Sequence, residues 1–418
     1  MIFKATRAPL PGYKSFLTGW GATTFGSGLM FPITVTYLRE TRHLPLSDVS
    51  FYFALFAFAG LCVNPLASGI GRRYAPGRPA SGATVLQAAG AGLLAVADSI
   101  AGVLLAAIVS GTGTGMYYAV QTPLLTSVFG APALSRVLSG QNRTAAVMMT
   151  TGTLLGGQSV QRFGTGGYTL CLVANALSYL VHGAILTRLA WEYSRSLEAC
   201  PAAAGAARRP QERVIALRDP MFLWLFLLQS VLVVFGLGQF ESVVPVVLRD
   251  AQLSVAAVSV VVACNTGGLI VFQGLALRTV ERIGVLGALV AAVLSWTIAV
   301  AILAGGLLMP APWQRALLGA AFGVLFAVGQ CLIAPSVQPL VIRTAPANGL
   351  ESYAAAASLA HGLGAFVAPL LLPVVEAAGP WAYLTLQLGG CGLALYALRS
   401  FHARMARSPQ KMSRSLDR

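Results

Sequence analysis

Charge is scarce in this sequence. Asp, Glu, Lys and Arg make up 10% of the 418 residues, against about 25% in a soluble domain, where charge has to cover the surface. The shortage is greatest among the acids, with 13 Asp and Glu against 28 Lys and Arg. So few charges cannot solvate a globule of this size, which excludes a soluble protein. The same scarcity excludes a disordered chain, and no Gly-X-Y repeat supports a fibre.

Paired cysteines are missing too. Cys62, Cys171, Cys200, Cys264, Cys331 and Cys391 show no CxxC or paired spacing, and all but Cys200 fall inside apolar runs. They read as small buried hydrophobes rather than as disulfides or metal ligands. There is no phosphate-binding loop, so ATP is not used directly. His43, His182, His361 and His402 are scattered without acidic partners, which argues against a membrane-embedded enzyme, the remote alternative. No cofactor and no metal are expected. The net charge of +15 does not point to nucleic acid, because the basic residues sit between apolar stretches instead of along one face. Residues 1–14 have no apolar core, so no cleavable signal peptide is evident, and the first apolar run is expected to act as the insertion signal.

Apolar residues, by contrast, form 56% of the chain. A spanning helix needs about 20 mostly apolar residues. Twelve runs qualify, near 16–38, 49–70, 80–97, 100–125, 143–162, 168–189, 220–248, 254–277, 283–308, 314–341, 351–375 and 381–401. The expected fold is an all-α polytopic membrane protein of 12 transmembrane helices in two pseudo-symmetric six-helix bundles. Orientation follows from the loops. Only Arg39, Arg42, Arg162, Arg249 and Arg315 fall on one side, and the other 23 basic residues fall on the side of both termini. Both termini are therefore expected in the cytoplasm of a multi-pass protein of the cell membrane. The longest polar stretch follows span six. It suggests an N-terminal bundle over 1–190, a cytoplasmic linker over 191–218 and a C-terminal bundle over 219–418.

The halves echo each other. Leu38-Arg39-Glu40 after span one parallels Leu248-Arg249-Asp250 after span seven, each preceded by a late proline, Pro32 or Pro245. Val120-Gln121-Thr122-Pro123-Leu124 late in span four parallels Val337-Gln338-Pro339-Leu340 late in span ten. Two parallel six-helix repeats about a central loop form one large class of transporter, and in topology the whole chain resembles the major facilitator superfamily. Its local motifs are partly kept. In the loop after span two, Ser68-Gly69-Ile70-Gly71-Arg72-Arg73 stands where the family has Gly-x-x-x-Asp-Arg, so Arg73 matches the basic residue and Arg72 replaces the acid. Glu281-Arg282-Ile283-Gly284 in the equivalent loop resembles Asp-Arg-x-Gly. The resemblance implies gating contacts at Arg72, Arg73, Glu281 and Arg282; positive-inside anchoring is the simpler reading. Gly152-Thr153-Leu154-Leu155-Gly156-Gly157 is similar to the Gly-Pro-x-x-Gly-Gly of proton-antiporting exporters, with Thr153 for proline. Gly152, Gly156 and Gly157 also suit simple close packing of helices. Span four lacks the arginine that such exporters often carry.

Ionisable groups at depth default to function. Glu241 is the clear acid, in a Gly- and Pro-loosened part of span seven, about 10 Å outside the midplane. A carboxyl there is a candidate proton carrier, and His361 in mid-span eleven is a second. The superfamily resemblance implies a cavity lined chiefly by spans one, four, seven and ten. Its candidate lining is Thr24, Phe25, Tyr117, Tyr118, Gln121, Gln239 and Gln330, with Asn265 of span eight as a further member; each also fits an interhelical hydrogen bond. No Lys or Arg lies at mid-depth, which disfavours an anionic solute. An aromatic, weakly polar cavity with one acid suits a small neutral or cationic amphiphile, as in multidrug or natural-product export. The favoured reading is proton-coupled efflux by a monomer, and the alternative an importer or uniporter of a nutrient or metabolite.

Overall fold

The structure, a computed structural model, describes residues 10–73, 77–198, 216–346 and 349–406. Those residues contain helices and turns and no strand. In chain order the helices are α1 (Tyr13–Met30), α2 (Thr34–Thr36), α3 (Leu46–Arg73), α4 (Gly77–Val96), α5 (Ile100–Phe129), α6 (Leu134–Phe163) and α7 (Thr165–Glu198). They continue as α8 (Pro220–Leu232), α9 (Gln239–Asp250), α10 (Val255–Leu307), α11 (Pro312–Thr344), α12 (Leu350–Val367), α13 (Leu372–Ala378) and α14 (Pro380–Ala406). Twelve crossings result. Span one is α1, α2 and a π-helical turn at Tyr37–Thr41. Span seven is α8, a π-helical turn at Val233–Leu237, and α9. The 53-residue α10 is two crossings that meet at Gly284, whose φ of 74° and ψ of 167° break the helix. A positive φ of this kind suits glycine, which has no Cβ to clash. Span eleven is α12, a 3₁₀ turn at Ala368–Leu371, and α13.

Nine of the described helices are long and apolar enough to cross a bilayer on those grounds alone. The count takes α10 once although it crosses twice, and it passes over α1 and α6. The latter carries Arg136, Gln141, Asn142 and Arg143 in its first turns. The expected start of span five at 143 therefore falls inside α6, which begins at Leu134.

In the first half α1 packs on α6 and α7, α4 on α5 and α7, and α3 on α5. In the second half α10 packs on α11, and α8 on α12 and α14. The halves meet where α6 runs beside α10 and α3 beside α12 and α13.

The repeat noted in the sequence folds into matching turns. His43 (φ 54°) and Gln252 (φ 63°) are the two non-glycine residues with positive φ among those described. One residue later, Leu44 N–H donates to Leu38 O and Leu253 N–H to Leu248 O, each at 3.1 Å. The first turn is one residue longer, and the π-helical turn at Tyr37–Thr41 takes up that residue. Pro32 ends α1 because it has no N–H to continue the ladder.

Candidate functional site

A cavity of about 960 Å³ lies between the two halves. Its first-half wall is aromatic. Trp20 of α1 stacks on Tyr117 of α5 with ring centroids 5.7 Å apart and planes 16° apart. Tyr117 meets Tyr118 edge-on at 5.9 Å, and its Oη lies 3.5 Å from Nε2 of His182 on α7. Trp20 Nε1 donates to Gln141 O at 3.1 Å, which fixes the indole. Tyr179 shares a 3.0 Å hydrogen bond with Ser27. The second-half wall is more polar and includes Gln229, Glu241, Ser242, Gln338, Ser358 and His361.

Glu241 is exposed to the cavity. Tyr52, Tyr118 and Tyr179 of the first half line the same cavity. Among the described residues the wall holds no Lys and no Arg, and Glu241 is its one acid. The carboxyl thus has no Lys or Arg beside it among the described lining residues, and tyrosines of the opposite half share its cavity.

Of the residues singled out from the sequence, Thr24, Tyr117, Tyr118, Glu241 and His361 line this cavity. Phe25, Gln121, Gln239, Asn265 and Gln330 lie outside its wall. Phe25 packs against the apolar core, with its carbonyl 2.3 Å from where a Cβ on Gly152 would sit. Gln121 is buried on α5. The other three serve the interior of the second half. The π-helical turn of span seven leaves three successive carbonyls without helical partners, and three amides take them: Gln239 Nε2 donates to Val234 O, Gln387 Nε2 to Phe235 O, and Gln330 Nε2 to Gly236 O, the last at 3.0 Å. Asn265 Nδ2 then donates to Gln330 Oε1 at 2.9 Å and to Gly323 O at 3.1 Å. With Gln330 turned towards span seven, span ten gives the cavity only Gln338, and α12 supplies the wall that span ten was expected to form.

Residues of α3 and α7 also contribute without having been foreseen, chiefly Tyr52, Asn175 and Tyr179. A signal was present, since Asn175, Ser178, Tyr179 and His182 recur at i, i+3, i+4 and i+7, one polar stripe on an otherwise apolar helix.

The bonds joining the halves gather on the side away from the termini. Arg39 Nη1 meets Asp250 Oδ1 at 2.8 Å, and Arg249 Nη2 meets Glu40 Oε1 at 2.6 Å. Lower down, Thr150 Oγ1 donates to Thr266 Oγ1 at 3.0 Å, and Phe58 meets Phe366 at 5.9 Å. Further towards the termini side, a Cβ on Gly274 of α10 would meet no atom within 4 Å.

A Cβ on Gly152 or Gly156 of α6 would come within 2.3 or 2.2 Å of a carbonyl of α1, and one on Gly157 within 2.1 Å of Ser259 Oγ on α10. Thr153, where the exporter motif has proline, donates to Gly28 O at 3.3 Å. Gly28 lies four residues before Pro32, so the hydroxyl serves a carbonyl that proline cannot. Glu281 and Arg282 are exposed just before the Gly284 corner. The side chains of Arg72 and Arg73 lie outside the described residues.

Residues 16–369 match the model of the Major Facilitator Superfamily. No curated protein matches the chain by sequence. Several solved structures share its fold at low identity. A bacterial homologue of the iron transporter ferroportin, in its inward-facing state, superposes with a TM-score of 0.72 at 12% identity, covering 94% of this chain and 100% of that one. A peptide transporter POT in complex with sulfate gives 0.72 at 15%, covering 95% of each chain. The nucleoside transporter NupG gives 0.69 at 10%, covering 94% of this chain and 98% of that one.

Proposed function

Because the chain belongs to the major facilitator superfamily and is a membrane transporter, we propose that it exports a small neutral or cationic amphiphile in exchange for protons. It works as a monomer in the cell membrane with both termini in the cytoplasm. The two halves rock about the central cavity, alternately exposing it to either side. Glu241 carries the proton, taking it up when the cavity faces outward and releasing it inward, and His361 on the same wall is the second protonatable group. Substrate and proton stabilise different conformers of the same cavity.

The observation that carries this reading is the placement of Glu241, an exposed carboxyl on a cavity wall without any described Lys or Arg. Such a group can change charge without breaking a structural ion pair. It also sits in α9, three residues beyond Gly238 at the break in span seven, where a change of charge and a change of helix geometry can be coupled.

Everted membrane vesicles with a preset acid interior test it. A pH-sensitive dye reports the gradient while cationic and neutral amphiphiles are added. Dissipation by some compounds in the wild type and its loss in Glu241→Gln is the expected result. Dissipation that persists in Glu241→Gln removes this carboxyl from coupling. No response to any compound, with inserted protein verified, overturns proton-coupled export in favour of an importer or uniporter.

A further inference from the structure

On the outer surface of the second half, α8 and α14 share a cluster of hydrogen-bond donors that contains no acid. Arg404, near the end of α14, holds its guanidinium over the Trp224 ring of α8, with Cζ 5.6 Å from the centroid. Trp224 in turn meets Tyr396 of α14 edge-on at 5.7 Å. Helical side chains tilt towards the helix N-terminus, so Arg404 leans back along α14 and covers an indole set in the seam between the two helices. Tyr396 is 60% exposed, and Arg404 is exposed as well. Neither the Trp224 N–H nor the Tyr396 hydroxyl has a hydrogen-bond partner among the described residues, whereas the indoles of Trp20 and Trp296 donate to Gln141 O and Phe326 O. Arg404 forms no ion pair among those residues, and neither do Arg399 on the same helix and Arg218 just before α8. Asp219, the acid beside Arg218, is already committed, with Oδ1 accepting from Met221 N–H and Oδ2 from Tyr353 Oη, each at 2.9 Å. Away from the termini the same surface turns apolar. Leu227 of α8 and Leu388 and Leu393 of α14 are exposed. Between those two leucines of α14, a Cβ on Gly389 or Gly392 would meet no atom within 4 Å, which leaves an open trough.

We propose that this seam binds an anionic phospholipid of the leaflet on the termini side, with its phosphate held by Arg404, Trp224 and Tyr396 and an acyl chain lying along the glycine trough. A phosphodiester brings the negative charge and the acceptor oxygens that this cluster of donors lacks. Trp and Tyr suit the boundary between headgroup and hydrocarbon, where one end of the ring is wet and the other apolar. Two other ligands fit less well. A free phosphate leaves the apolar trough unused, and a zwitterionic lipid sets its own ammonium against three arginines that have no ion pair. The bound lipid spans α8 and α14, the same elements that Gln387 joins at Phe235 O in the π-helical turn. It therefore braces the first part of span seven against span twelve.

Thermal unfolding of the purified full-length protein in detergent tests this. Dioleoylphosphatidylglycerol should raise the midpoint by several degrees, because a ligand of the folded state stabilises it by mass action. Dioleoylphosphatidylcholine and inorganic phosphate should raise it far less. The rise should be lost in Arg404→Gln and kept in Arg278→Gln, which alters an exposed arginine of α10. Fluorescence reads the location. Phosphatidylglycerol with brominated acyl chains should quench tryptophan emission more than brominated phosphatidylcholine does, and Trp224→Phe should remove that difference. Equal midpoints with the two lipids in the wild type overturn the proposal, whether or not a variant folds. So does a rise that inorganic phosphate reproduces, which marks a free-anion site, and so does a rise lost equally in Arg278→Gln, which marks a general effect of surface charge. A rise kept in a folded Arg404→Gln, or a quenching difference that survives in Trp224→Phe, places the lipid elsewhere and overturns the site.

Discussion

Arg39 at the end of the first span reaches Asp250 at the end of the seventh, Nη1 to Oδ1 at 2.8 Å, and Arg249 returns the contact to Glu40. Each arginine neglects the acid beside it in sequence and takes the acid of the other half's copy. The repeated Arg-acid pair is thus a reciprocal clamp across the pseudo-symmetry axis, and it closes the cavity on the side away from the termini. Two further arginines of that side are also engaged. Arg42 binds Asp98, Ala95 O and Tyr37, and Arg315 binds Met309 O and Ala251 O. Four of the five arginines that depart from the positive-inside pattern are therefore fastening residues.

Weakening this clamp should favour the conformer open on that side. The side chains of the four partners are 25–38% exposed, so each pair contributes on the order of 1 kcal/mol or less and is screened by salt. Arg39→Asp places two acids face to face and should shift the population several-fold. The shift can be read as a longer distance between spin labels at Ala101 and Leu308 in a chain freed of native cysteines. Adding Asp250→Arg should restore the wild-type distance. A distance unchanged in Arg39→Asp would show that the clamp does not control opening.

The three glutamines of the second half lead to a different expectation. Their amides hold consecutive carbonyls of one π-helical turn, Val234, Phe235 and Gly236. Gln330→Leu leaves Gly236 O and one Asn265 donor unsatisfied, at a cost of about 1–3 kcal/mol. Thermal unfolding in detergent should shift down by several degrees. Gln387→Leu should do the same, and the double variant should lose less than the sum, because both act on one turn that relaxes once. Strict additivity would show that the turn does not respond as a unit.

Much of the architecture was legible in the sequence because its physics is coarse. Twelve apolar runs need only length and composition to be read. The repeat of Leu38-Arg39-Glu40 was visible too, but its pairing was not, since nothing in one strand of sequence says whether Arg39 meets its neighbour or the distant Asp250. The candidate site was legible only in part, for a rotational reason. Gln239, Gln330 and Asn265 stand out as polar groups at depth, yet a shift of one position is about 100° around a helix, and their side chains turn into the second half instead of the cavity. The π-helical turn at Val233–Leu237 that recruits two of them has no sequence signature of its own. Tyr52 and Tyr179 sit on spans two and six, outside the four spans that the family resemblance assigns to the cavity, although the stripe from Asn175 to His182 marks the polar face of α7.

Gly156 and Gly157 are adjacent in sequence but should respond differently to the same substitution. An added Cβ at Gly156 falls 2.2 Å from Leu29 O, a backbone atom of the same half, and relief requires α1 and α6 to separate. Gly156→Ala should therefore cost about 1–3 kcal/mol through overpacking and lower the thermal midpoint without altering the balance of conformers. At Gly157 the obstacle is Ser259 Oγ on α10, in the opposite half. Rocking the halves apart on the side away from the termini, as proposed above, would relieve that contact. Gly157→Ala should leave the melting point nearly unchanged and lengthen the Ala101–Leu308 label distance, in the same direction as Arg39→Asp. If Gly157→Ala instead lowers the midpoint as much as Gly156→Ala and leaves the distance alone, the α6–α10 contact is a fixed part of the fold and not a surface on which the halves move.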